Sequence, residues 1–129
     1  MNNILSIIGA GTTSGAVYAS TAVSLQEYVG PAIIHISHGV ARGSGAVTQQ
    51  LRVEFSGTAA GDVPSTDGWG CINAAGTLAA SSSAAETQTY SFHMNSLGTN
   101  SYVRIHAAQG GTSPIYPIAA CMVGTKNQN

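Results

Sequence analysis

Apolar and polar residues alternate with a period of two along much of this chain, and that period selects β-strands over helices. In Gln50-Leu51-Arg52-Val53-Glu54-Phe55, the apolar Leu51, Val53 and Phe55 fall on one face and Gln50, Arg52 and Glu54 on the other. This reads as a half-buried strand with one wet or partner-facing side. Tyr90, Phe92 and Met94 alternate with Ser91 and His93, and Val103, Ile105 and Ala107 with Tyr102, Arg104 and His106. Near the end, Ile118, Ala120 and Met122 alternate with Ala119, Cys121 and Val123, so this strand is apolar on both faces and belongs inside its sheet. Residues 20–28 and 32–40 read as two further strands.

Turn formers separate these runs at 39–45, 57–70, 76–85, 97–100 and 109–114. The Ala/Ser stretch 74–85 has no apolar stripe and reads as a surface loop. About six to eight short strands with glycine-rich turns give an all-β antiparallel β-sandwich or barrel. The length, 129 residues, fits one domain with a real core. The expected division is an N-terminal arm over 1–19 and a sandwich domain over 20–129.

Charge is scarce. Asp, Glu, Lys and Arg make up 7% of the chain, against about 25% in an average soluble domain. Ser, Thr, Asn, Gln, Ala and Gly take their place. Burying a charge costs far more than burying a hydroxyl, so such a surface suits faces covered by neighbours; a secreted domain with a bland polar surface is the other reading. The net charge of −1 and the lack of a basic cluster argue against nucleic-acid binding and against a polybasic membrane contact. No apolar run is long enough for a transmembrane helix. Ile4 to Ile8 is too short, and too poor in preceding Lys or Arg, for a signal peptide, so Met1 is read as retained and synthesis as intracellular.

Candidate chemistry is thin. Ile4 to Gly15 resembles the opening of a dinucleotide-binding fold, but its spacing is G-x-G-x-x-x-G and no βαβ unit follows. His35 and His38, three apart in a strand, point to opposite faces. His93 and His106 are expected outward on neighbouring strands, where a two-His site lacks a further ligand. Asp62 and Asp67 read as turn caps. Cys71 and Cys121 have no C-x-x-C context; they are expected as buried free thiols, a single disulfide between them being the alternative. No G-x-S-x-G elbow or paired-acid arrangement appears, so no catalytic, metal or cofactor site is expected and the chain is not expected to be an enzyme. Trp69, between Gly68 and Gly70, is either an exposed anchor or a cap folded back on the core.

The segment order resembles the small β-sandwich decoration, or cement, proteins of tailed-bacteriophage capsids. The resemblance rests on three stretches: Gly30 through Leu51-Arg52-Val53-Glu54-Phe55; the turn Leu97-Gly98-Thr99-Asn100 before Tyr102-Val103-Arg104-Ile105; and Gly110-Gly111-Thr112 leading into Ile118-Ala119-Ala120-Cys121-Met122-Val123. Ser56-Gly57-Thr58 stands where the family often has an acidic turn. The resemblance implies a jelly-roll-like sandwich that forms a homodimer or homotrimer. It also implies binding at junctions between subunits of a major capsid protein, on the outside of a virion whose proteins are made in the host cytoplasm. It implies no cofactor, nucleic acid or membrane. In that picture the glycine-rich N-terminal arm is extended and lies along a neighbouring subunit through Ile4, Leu5, Ile7 and Ile8. Arg52, Glu54, Trp69, Tyr102 and Arg104 would face partners. A carbohydrate- or receptor-binding module and another virion component, such as a tail or head-completion protein, are the alternatives.

Overall fold

A computed structural model describes residues 2–14, 17–40, 42–58, 69, 71, 76–80 and 85–127. Its strands are β1 (Asn2–Ser14), β2 (Val17–Ala19), β3 (Val23–Ser24), β4 (Tyr28–His38), β5 (Arg42–Ser56), β6 (Thr77–Ala80), β7 (Glu86–His93) and β8 (Tyr102–Lys126). A 3₁₀ turn spans Met94–Leu97. Every strand pairing is antiparallel.

β8 organises the molecule. It has 25 residues, and a straight strand of that length would span about 80 Å. Yet Ser101, just before it, accepts a hydrogen bond from Leu25 N at 2.7 Å, and Asn127, just after it, donates one to Glu27 O at 2.7 Å. Both ends therefore reach the same short turn, so the strand folds over on itself. Its first half pairs with β5 on one side and with β2 and β3 on the other. Its second half pairs with β4 and with β1. With β6 beyond β5 and β7 beyond β4, the result is two four-stranded layers sharing β8. We call the β6-β5-β8-β2/β3 layer sheet I and the β7-β4-β8-β1 layer sheet II.

The inward residues of the two layers make one core. Leu51, Val53, Phe55, Val103, Ile105 and Ala107 come from sheet I, and Ile34, Ile36, Tyr90, Phe92, Ala120 and Met122 from sheet II. Phe55 meets Phe92 edge-to-face across the layers, with ring centroids 5.1 Å apart. This is the antiparallel β-sandwich that the alternation predicts.

Several boundaries differ from the sequence expectation. The expected turn at 109–114 is strand backbone inside β8, because β5 runs alongside and pairs with Gln109, Gly110 and Thr112. Part of the expected 74–85 loop is β6, which pairs with β5 through Gln49 to Arg52. The expected strand 20–28 shrinks to Val23–Ser24, followed by a turn, with β4 starting at Tyr28. The glycine-rich N-terminal segment is extended, but Asn2–Ser14 pairs with β8 of its own chain as an edge strand. Ile7 lies in the core and Leu5 packs against it, so these two apolar side chains are used within the sandwich.

Candidate functional site

The two outer faces of the sandwich are chemically opposite. On sheet I, β5 and β8 place Glu54 opposite Arg104 and Arg52 opposite His106. Alternation turns these side chains away from the core, where the sequence leads one to expect solvent or a partner. Instead Glu54 is 1% exposed, Arg104 3% and His106 7%. Trp69 covers Arg104: it is itself buried, with its ring 4.4 Å from the Arg104 guanidinium carbon. Cys71 also folds onto this face, with Sγ 3.7 Å from Thr77 Oγ1. Gly76 permits that approach, because a Cβ there would lie 3.2 Å from Cys71 and from the Val53 carbonyl oxygen. The open question about Trp69 is thus answered: it folds back, as a lid on the outer face of sheet I.

The covered cluster is held by charge. Arg104 Nε donates to Glu54 Oε1 at 3.0 Å, and Arg52 Nη1 lies 3.5 Å from Glu54 Oε2. A hydrogen bond to Cys71 and the Glu54 carboxylate raise the Arg52 pKa, partly offset by desolvation. Burial lowers the pKa of His106, and the nearby Arg52 and Arg104 charges push the same way against Glu54. Arg104 Nη2 and His106 Nδ1 are buried with no hydrogen-bond partner among the described residues.

These placements correct the expected interface set. Glu54, Arg104 and Trp69 are interior residues; Arg52 and Tyr102 remain partly exposed at the rim. Of the N-terminal residues, only Ile4 is a surface group, at 76% exposure; the Ile8 side chain lies outside the described ones. His106 is buried on sheet I while His93 is exposed on sheet II, so the imagined pair is not formed; His93 Nδ1 instead accepts from Asn95 N at 3.1 Å. His35 and His38 do face opposite ways, and His38 Nε2 lies 3.3 Å from Glu86 Oε2. Cys71 and Cys121 are free thiols, half-buried rather than buried. Asp62 and Asp67 lie outside the described residues. Among the described residues no three His, Cys, Asp or Glu side chains gather as metal ligands, and no helix is long and apolar enough to cross a membrane.

The outer face of sheet II is the surface that sequence reasoning missed. Cross-strand register aligns Ile4, Val123, Ile33 and Ser91 in one row and Ser6, Cys121, His35 and Thr89 in the next. Val29 and Thr125 extend it at one end, Ser37, Thr87 and Ala119 at the other. None of these residues is Asp, Glu, Lys or Arg. Ile4, Val29 and Ile33 are 76%, 43% and 40% exposed. The signal was present as outward-parity apolar residues in strands, but it needed the register to become a patch.

No protein-family model matches the chain, and no curated protein does. Solved structures do. A chain of the infectious bursal disease virus Gx strain structure aligns over 100% of this chain, with a TM-score of 0.58 and 7% identity. The infectious bursal disease virus VP2 subviral particle aligns over 100%, at 0.56 and 9%. The CBM36-1 domain of a multidomain xylanase from the hindgut metagenome of Trinervitermes trinervoides covers 98% of this chain at 0.49 and 11%. The protein spans 34% and 33% of the two viral chains, about a third of their length. At these identities the likeness establishes the β-sandwich fold.

Proposed function

We propose that this chain is a structural virion protein that decorates a tailed-bacteriophage capsid and stabilises it by binding at junctions between major capsid subunits. The observation that carries the reading is the disposal of charge. Every Asp, Glu, Lys and Arg side chain described has a partner within the chain: Arg52 and Arg104 pair with Glu54, Lys126 with Glu27, and Glu86 Oε2 lies 3.3 Å from His38 Nε2. The outer face of sheet II is left with Ser, Thr, His, Cys, Ala and aliphatic groups, most of which lose little when a neighbouring protein removes water from them. The sandwich fold shared with viral chains supports the reading, as does the resemblance of the segment order to decoration proteins. No catalytic activity is assigned to the chain in this reading.

The test is to add the purified protein to empty shells assembled from the major capsid protein of the same virus. Saturable binding with a fixed ratio to capsid subunits, together with a higher shell-disruption temperature, is the expected result. Shells that neither bind the protein nor gain stability contradict the proposal; selective retention on a glycan array would then favour a carbohydrate-binding module.

A further inference from the structure

We infer that the outer face of sheet II is a self-association surface, covered by the same face of a second copy in a two-fold dimer. The inference does not depend on the virion reading.

Sheet I shows what this chain does with an outer face it covers itself: charged groups, paired, under Trp69. Sheet II has the reverse chemistry. Its described outward side chains include no Asp, Glu, Lys or Arg, and an apolar row crosses three strands through Ile4, Val123 and Ile33. Its exposed members are large aliphatics, which a lone soluble domain seldom lines up on one flat face.

Area and charge together choose the occupant. Four strands at about 4.8 Å spacing, along roughly 35 Å of β4, outline about 600–700 Å² of flat surface. A stable interface removes about 800 Å² from each partner, so this face and its rim are of the right size for one such contact. A two-fold contact sets each patch against itself, so any charge near the axis meets its like. An uncharged sheet face avoids that penalty. A partner with a typical charged surface would leave its own charges dehydrated and unpaired here. Two sheets packing face to face align their strands to within about 30° and interdigitate their side chains, which a β-branched row such as Ile4, Val123 and Ile33 suits.

Light scattering on the full chain tests this, with no capsid present. The wild type should have the mass of two chains. Ile33→Asp puts a carboxylate inside the contact and should weaken the dimer at least about a hundredfold, leaving a folded monomer by circular dichroism. Thr89→Lys, at an exposed polar position on the same face, should do the same if Ile33→Asp impairs folding. Thr21→Asp, exposed between β2 and β3, should leave the dimer intact. A wild-type monomer at about 100 µM, a trimer, or a dimer unaffected by both Ile33→Asp and Thr89→Lys overturns the inference. A monomer that binds shells through this face would overturn it while supporting the proposed function. A dimer that ignores shells would do the opposite.

Discussion

Glu54 takes a hydrogen bond from Arg104 in a place that water scarcely reaches, and that decides what substitutions there will do. Glu54→Gln or Glu54→Ala leaves a buried guanidinium without its counter-charge, so either should cost about 3–5 kcal/mol in urea unfolding. Glu54→Leu combined with Arg104→Met removes both charges and should recover most of that loss, since a buried ion pair is weak evidence of net stability. His106 sets a pH dependence. Its pKa is lowered in the fold, so the unfolded chain binds a proton first as pH falls. Stability from this residue is intact above about pH 6.5, the unfolded value, and declines below it until the folded pKa is passed. His106→Asn should flatten that part of the acid limb in thermal melts run across pH. At this scale the sequence shows which way Glu54, Arg104 and His106 point but not what lies over them. Alternation assigns a face, but the return of Trp69 and Cys71 to that face is a long-range event that local pattern does not show.

Among the elements, β4 and β8 carry clear sequence signatures. The second half of β8 is apolar on both faces because β1 and β4 flank it on either side. β5 alternates because one face is core and the other carries the paired charges. What stayed hidden were features set by pairing rather than by local preference. Gly110 and Gly111 suggest a turn, yet the chain continues as strand where the layers fold over, and Thr77–Ala80 becomes a strand because β5 offers it an edge. Two element-scale predictions follow from geometry. Gly30 has φ of +76° beside the register shift between Val29 and Ile33, with nothing within 4 Å of an added Cβ. Gly30→Ala should therefore cost about 1–2 kcal/mol from backbone strain alone, read by denaturation. Deleting residues 2–7 removes Leu5 and Ile7 from the core and uncovers one side of β8, so it should lower the melting temperature rather than affect assembly only.

At the scale of the whole molecule, the two outer faces divide the work. Sheet I gathers three charged side chains and buries two of them, Glu54 and Arg104, while sheet II presents an outer face with an apolar row beside Ser, Thr, Cys and His and without Asp, Glu, Lys or Arg among its described residues. The low charge content in the sequence already pointed to covered surfaces. It did not say which face stays open, because that depends on where the few charges are spent. A protein with its described charges neutralised internally should bind through shape and apolar contact, so its attachment to a shell should not depend on long-range Coulomb attraction. Raising ionic strength from about 0.05 to 1 M shortens the screening length several-fold and weakens contacts that rest on exposed charge. The most direct test of the account is therefore the affinity of the purified protein for empty capsid shells, measured by co-sedimentation at both salt concentrations. The account predicts saturable binding with an affinity unchanged or modestly stronger at high salt. Binding that collapses at high salt, or no binding at either concentration, would contradict it.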